Sequence, residues 1–269
     1  MKEILLKKVE ISHHVQVGPG YFRMGIAFPE LAGVARPGQF VMVKVSGRRI
    51  PLLRRPFSIY NRLTSEGKVS GFELLYKVVG QGTRAMSEMK AGDVIDVLGP
   101  LGNGFSCHED MREVFLVAGG IGVASLYYLA LDLAGRSGVR FTVFLGGCSA
   151  ADILCQKEFE SMGAKVCITT EDCTVGDKGF ITSLVQKALE DEKRPDMIYG
   201  CGPQGMLKAL ADIAVAHNVP CQISMETVMA CGFGVCLGCA VEKAGGEEDY
   251  LHACTDGPVF DARAIVIRT

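Results

Sequence analysis

Four cysteines near the C-terminal end carry the strongest chemical signal in the chain. They stand as Cys231-Gly-Phe-Gly-Val-Cys236-Leu-Gly-Cys239, with Cys254 following after fourteen intervening residues. Thiolates are the usual ligands of iron–sulfur clusters, and a C-x4-C-x2-C run with a distant fourth cysteine is the plant-type [2Fe–2S] spacing. Three ligands from one loop must converge on a compact core, so the chain between them must bend tightly. Gly232, Gly234 and Gly238 permit that bend and let backbone N–H groups approach the sulfurs. Structural zinc also takes four cysteines, though more often as paired C-x2-C knuckles. Zinc and unliganded thiols remain the alternatives at this point.

Two further runs have the chemistry of anion sites. Arg54-Arg55-Pro56-Phe57-Ser58-Ile59 lies at the entry to an expected strand, and Leu75-Tyr76-Lys77 ends the next long one. Gly80-Gln-Gly82-Thr83 then opens an expected short helix. Glycines and a threonine at a helix N-terminus suit a pyrophosphate, because unpaired N–H groups and the helix dipole favour an anion. Each run also has a plain reading, as a solvated turn and as a capped hairpin loop.

A second pair of turns lies further on. Val114-Phe-Leu-Val-Ala118 runs into Gly119-Gly120-Ile-Gly122, which lacks the third glycine of the full dinucleotide fingerprint but keeps its mechanics: a tight turn before a helix. Tyr199-Gly-Cys201-Gly202-Pro203 likewise joins a strand to a helix. Ser149 and Asp152 follow the second strand of this region and are placed to meet an adenosine ribose. No Arg or Lys directly follows Leu145-Gly-Gly147, which favours NAD over NADP. The five histidines show no ligand spacing.

The elements that must hold these groups fall into three parts. Residues 1–104 read as short strands separated by Gly and Pro, with strands expected at 39–45, 57–60, 69–78 and 94–98, the pattern of a small antiparallel β-barrel. Residues 105–225 alternate strands (114–118, 140–146, 165–170, 196–200, 221–225) with helices (123–134, 151–161, 180–191, 203–216), which implies a doubly wound parallel sheet. Residues 226–269 form a small cysteine-bearing segment with a hairpin-like stretch around Gly245-Gly246. The fold class is therefore α/β plus β-barrel.

Composition narrows the function classes. Lys and Arg number 28 against 30 Asp and Glu, so the net charge of −2 leaves no nucleic-acid footprint. The N-terminal Met-Lys-Glu-Ile has no apolar export region, and eleven cysteines without one argue for reduced thiols and ligands in a cytoplasmic protein. The uncharged run from Val114 to Leu131 is long enough for a membrane span, but Gly119, Gly120 and Gly122 interrupt it. A buried strand, a glycine turn and a buried helix account for it.

The Arg55-Pro-Phe-Ser58 run resembles the flavin motif of the ferredoxin reductase superfamily, in which many members have Tyr in place of Phe57. The resemblance implies an FAD on the barrel. Arg55 would bind its phosphate, Phe57 would flank the ring and Ser58 would bond near the reactive nitrogen, with Pro56, Leu75, Tyr76, Lys77, Gly82 and Thr83 completing the site. Cys201-Gly202-Pro203 resembles the turn beside the nicotinamide in the same superfamily, with Cys201 near the hydride path. Taken with Met229-Ala-Cys231-Gly-Phe-Gly-Val-Cys236-Leu-Gly-Cys239, the whole chain is similar to the electron-transfer subunits of bacterial class 1B dihydroorotate dehydrogenases. The related small subunits of flavin-based NADPH:ferredoxin oxidoreductases often have Asp where this chain has Cys231. The resemblance implies electron flow from the FMN of a catalytic subunit through [2Fe–2S] and FAD to NAD+, in a heterotetramer of two chains of each kind. A reductase subunit serving ferredoxin or a sulfur compound is the alternative.

Overall fold

The computed structural model describes residues 4–45, 52–191, 194–246 and 249–268. The opening Met1–Glu3 lies outside them. Among the described residues, seven antiparallel strands form the N-terminal barrel: β1 (Leu5–Gly18), β2 (Tyr21–Ile26), β3 (Phe40–Val45), β4 (Arg55–Ser58), β5 (Asn61–Ser65), β6 (Lys68–Lys77) and β7 (Val94–Leu101). Their order is β4-β3-β7-β1-β2-β6-β5. The two ends of that order meet at Ile59 and Tyr60. The Ile59 N–H donates to the Gln39 carbonyl at 3.0 Å and the Tyr60 N–H to the Glu73 carbonyl at 2.9 Å. Helices α1 (Pro29–Val34) and α2 (Gln81–Ser87) pack against β6 and β3.

Side chains alternate across β3, as a strand requires. Val41, Val43 and Val45 fill the barrel interior with Met24, Phe72 and Ile95. Phe40 and Met42 point the other way, into a core shared with the C-terminal segment. That alternation lets one strand serve two cores.

The nucleotide domain follows with β8 (Glu113–Gly119), α3 (Val123–Ala134), β9 (Arg140–Gly147), α4 (Gln156–Ser161), β10 (Lys165–Thr170), β11 (Asp177–Lys178), α5 (Ile181–Asp191), β12 (Met197–Cys201), α6 (Gln204–Ala216) and β13 (Cys221–Ser224). The strands read as near-continuous apolar runs because helices cover both faces of the sheet. The expected helix at 151–161 is instead a 3-10 turn at Ala150–Asp152 followed by α4. Between them Cys155 takes a left-handed backbone, φ +62°, while its buried thiol meets the Tyr60 hydroxyl at 3.3 Å.

The C-terminal segment contributes a hairpin, β14 (Ala240–Glu242) and β15 (Tyr250–His252), then β16 (Val259–Asp261). The last of these joins β13 antiparallel, completing a sheet of order β11-β10-β9-β8-β12-β13-β16. Asn103, between barrel and nucleotide domain, ties the segment down. Its backbone N–H donates to the Gly257 carbonyl, and its side-chain amide donates to the carbonyls of Thr255 and Asp256 at 3.0 and 2.8 Å. No described helix is long and apolar enough to cross a membrane.

Candidate functional site

The four cysteines gather into two pairs. The Sγ atoms of Cys239 and Cys254 are 3.2 Å apart, and the thiols of Cys231 and Cys236 hydrogen-bond to each other. Two adjacent pairs suit a two-iron cluster, in which each iron takes two thiolates and shares bridging sulfides with the other.

Backbone donors complete this site. Burial works to raise the Cys231 thiol, but N–H groups of Phe233, Cys236 and Val235 and the Cys236 thiol outweigh it and bring the pKa down to about 6. Burial, then the adjacent Cys239, push Cys254 up to about 12. Left-handed backbone at Gly232 (φ +83°), Gly234 (φ +88°) and Leu237 (φ +57°) aims these donors inward. A side chain on Gly232 would meet Met42 Cγ at 2.5 Å, so the cluster loop lies directly on the barrel. Around the thiols, Val228, Phe233, Val235 and Leu237 expose their apolar side chains to solvent.

On the barrel, the two neighbouring arginines differ. Arg54 is neutralised by Asp96 at 2.7 Å. Arg55 is exposed, and its guanidinium donates to the backbone carbonyls of Leu53 and Arg54, leaving its charge available to an anion. Pro56, Phe57 and Ser58 follow along β4, half-buried. Phe57 sets its ring edge-on to Tyr76 at 5.8 Å, and the Tyr76 hydroxyl shares a hydrogen bond with His14 Nε2 at 3.0 Å. β5 pairs with β6 only as far as Glu73, so from Leu74 onward that edge of β6 runs beside β4. Leu75 is buried in the interface with the nucleotide domain.

At α2, buried Gly82 and Thr83 lie in the first turn. The Thr83 hydroxyl accepts from the N–H groups of Val79 and Gly80, at 2.9 and 3.1 Å, so it caps the helix internally. A bound anion would therefore meet Thr83 mainly through backbone.

The two glycine turns of the nucleotide domain abut. β8 and β12 are parallel neighbours, with Ala118 opposite Cys201, and the strand order reverses between them, where an open α/β sheet binds its ligand. A Cβ on Gly122 would lie 2.2 Å from the Cys201 carbonyl oxygen, and one on Gly119 would lie 2.7 Å from Pro203 Cδ. On Gly202 it would reach Met206 Cε at 2.7 Å. Gly120 differs: it has φ +51° and open space where a side chain would be. These glycines make a cradle with open space at Gly120, and the fit to a dinucleotide phosphate rests on it.

Cys201 is fully buried, and burial pushes its thiol up to about 12, so at neutral pH it stays protonated beside Ser125 and Ser224. Those two hydroxyls are hydrogen-bonded at 3.1 Å. The Glu226 carboxyl is near enough to influence Cys201. Glu226 keeps solvent contact, yet protein crowds its carboxyl enough for desolvation to raise its pKa. Asp152, expected at the ribose, is already engaged. Its carboxylate accepts from the Tyr21 hydroxyl at 2.5 Å and from Lys77 Nζ at 3.0 Å, linking nucleotide domain to barrel. The expected flavin contact Lys77 is thus held in this latch. Ser149 caps the turn by accepting from the Ala151 N–H.

Neither motif nor spacing singles out Glu226, Glu171 or Phe180 in the sequence. Glu171 follows β10 and accepts from the Cys148 thiol at 3.3 Å. Phe180, 69% exposed, precedes Ile181, which packs against Gly146 at the end of β9. An exposed ring after a two-residue strand gave no periodic signal.

The chain matches three family models. They are described as the iron-sulfur cluster binding domain of dihydroorotate dehydrogenase B over residues 226–266, the oxidoreductase NAD-binding domain over 116–212, and the oxidoreductase FAD-binding domain over 3–105. It is 38% identical over 251 residues to the dihydroorotate dehydrogenase B (NAD(+)) electron transfer subunit of Desulforamulus reducens, covering 93% of this chain and 94% of that one. The chain belongs to the family of dihydroorotate dehydrogenase B electron transfer subunits.

A second member of the family, from Caldanaerobacter subterraneus subsp. tengcongensis, is 41% identical over 86% of this chain and 87% of its own. Among solved structures, a chain of an NADH-dependent reduced ferredoxin-NADP oxidoreductase superposes with a TM-score of 0.84 at 30% identity, covering 97% of this chain and 90% of that one. The ferredoxin reductase of a carbazole 1,9a-dioxygenase, at 20% identity and TM-score 0.66, covers 81% of this chain and 67% of that one and shares the fold. Like its family, this chain is an oxidoreductase with FAD-binding, NAD-binding and iron–sulfur domains.

Proposed function

We propose that this subunit receives electrons from the FMN of a dihydroorotate-oxidising catalytic subunit and passes them through a [2Fe–2S] cluster and FAD to NAD+, in pyrimidine biosynthesis. The observation that carries this reading is the pairing of Cys231 with Cys236 and of Cys239 with Cys254 in a loop seated on the barrel. A flavin accepts electrons singly and releases a hydride, so it belongs between a one-electron cluster and a two-electron nicotinamide.

This chain's residues divide that work. Arg55 supplies a positive charge to the flavin phosphate, with backbone of Gly82 and Thr83 behind it. Pro56, Phe57, Ser58 and Tyr76 line the ring and its linker, bordered by the β6 backbone at Leu75 and Lys77. Gly119, Gly120 and Gly122 receive the NAD phosphates, and Cys201, Gly202 and Pro203 border the nicotinamide. Ser58 and Cys201 flank the hydride path as hydrogen-bonding groups, since the protonated thiol is a donor and not a nucleophile.

The apolar collar at Val228, Phe233, Val235 and Leu237 supports docking of the catalytic subunit over the cluster. The assembly would be a cytoplasmic heterotetramer of two chains of each kind. Mixing the purified subunit with an FMN-containing dihydroorotate dehydrogenase subunit tests the reading. Dihydroorotate-dependent NAD+ reduction should arise only in the mixture. A mixture that forms no complex and reduces ferredoxin with NADH would favour the alternative acceptor.

A further inference from the structure

The cluster loop meets the barrel at Gly232. Gly232, directly after Cys231, would place a Cβ 2.5 Å from Met42 Cγ and 3.0 Å from its Sδ, with Leu101 Cδ1 at 3.3 Å. Gly232 also has φ +83°, so sterics and backbone both reserve this position for glycine. The loop backbone thus packs on the Met42 side chain with no residue between them.

Met42 is fully buried on the outward face of β3, in the same apolar core as Cys239, Cys254 and Met229. Across the β3–β4 ladder it pairs with Pro56, and Val41 pairs with Phe57. One side of Met42 therefore touches the loop of a cluster cysteine. Its backbone lies opposite Pro56 in the strand that carries Arg55, Phe57 and Ser58. Gly232 against Met42, and Met42 opposite Pro56 in the ladder, make a short connection between the two candidate redox sites.

We infer that Met42 is the positioning residue that couples the cluster to the flavin, by holding the Cys231 loop against the strand beside the flavin strand and keeping water from the gap. This rests on the proposed cluster and FAD assignments. With both groups bound, the cluster would supply electrons one at a time; two of them with one proton from solvent would give the reduced flavin, which would return to its oxidised form by giving a hydride to NAD+. Electron transfer weakens steeply when packed atoms along its path are replaced by a void or by water, so the contact matters beyond its contribution to stability.

The test uses the full chain, loaded with FAD and cluster, and three versions of residue 42: wild type, Met42→Leu and Met42→Ala. Iron, labile sulfide and flavin are measured first. If wild type holds neither cluster nor FAD, the underlying reading fails and the inference falls with it. In loaded protein, NADH is mixed rapidly and two rates are followed in one experiment: flavin bleaching, and appearance of the reduced-cluster signal by freeze-quench electron paramagnetic resonance. Met42→Ala removes packed atoms from the connection, and the ratio of cluster reduction to flavin reduction should fall roughly tenfold. Met42→Leu, which keeps most of the volume, should restore it.

A merely structural role would lower cluster content while leaving that ratio unchanged in molecules that retain both groups. That outcome overturns the inference. Where Met42→Ala loses its cluster altogether, Met42→Gln decides the question. This near-isosteric polar side chain should raise the cluster's reduction potential by bringing a dipole and water to the Cys231 loop. An unshifted potential in loaded Met42→Gln contradicts the shielding role.

Discussion

The Sγ atoms of Cys239 and Cys254 stand 3.2 Å apart across 15 positions of sequence. The β14–β15 hairpin brings them together: Ala240 pairs with His252, and the Ala253 N–H donates to the Cys239 carbonyl at 2.9 Å. With Cys231 and Cys236 as the second pair, the purified subunit should carry about two irons and two labile sulfides per chain. Cys236→Ser should lose the cluster and keep its flavin. One zinc and no iron after anaerobic purification would contradict the assignment.

Arg54 is neutralised by Asp96, whereas Arg55 is exposed. Arg55→Ala should therefore weaken FAD retention by about 1.5–3 kcal/mol, the value of a charge-assisted contact. Flavin-to-protein ratio after dilution and gel filtration measures this. An unchanged ratio would reduce Arg55 to a surface residue.

Asp152 joins the two large domains, and its titration gives a signed test. The Tyr21 hydroxyl first, and Lys77 after it, hold its pKa below the usual range. The stability it contributes is complete above its unfolded pKa of about 3.9 and is lost as pH falls through the lower folded value. Lys77 is raised by Tyr21 and then by Asp152, so its share is complete below about 10.4 and is lost only as pH rises through the still higher folded value. Asp152→Asn should cost about 1 kcal/mol at neutral pH, a figure kept small because the Lys77 side chain is 41% exposed. The difference in melting temperature between wild type and variant should be widest at neutral pH and narrow in acid, as pH falls below the ordinary aspartate value of about 3.9. An equal difference at neutral and acid pH would show that charge plays no part.

The glycines of the first nucleotide turn should separate cleanly. Gly122→Ala drives a Cβ into the Cys201 carbonyl and should lower stability. Gly120→Ala meets no neighbour but occupies a left-handed position, so it should cost about 1–2 kcal/mol and raise KM for NADH by crowding the crevice. Melting temperatures with NADH–dye kinetics on both variants check this. A KM effect confined to Gly122→Ala would relocate the phosphate.

Much of this was legible in the sequence because it rests on local signals. The strands from Val114 to Ser224 are mostly apolar runs, and eight of the nine expected strand and helix spans there match to within a residue. Other features depend on distant partners. β1 runs Leu-Leu-Lys-Lys-Val-Glu with most side chains exposed, and only its pairing with β2 and β7 makes it a strand. β16 is three residues long and exists because β13 offers a free edge. At the site, the cysteine spacing named its chemistry directly. The pairing of thiols, the seat of Gly232 on Met42, and the engagement of Asp152 by Tyr21 all join residues far apart in sequence. Neither spacing nor periodicity encodes such contacts.

The central claim is that electrons reach NAD+ only through the four-cysteine cluster. The most direct test is dihydroorotate-dependent NADH formation by the subunit reconstituted with its FMN-containing partner, comparing wild type with flavin-loaded Cys236→Ser. The account predicts that the variant still forms the complex and still reduces dyes with NADH, but makes no NADH from dihydroorotate. NADH formation at the wild-type rate without the cluster would contradict the route through Cys231, Cys236, Cys239 and Cys254.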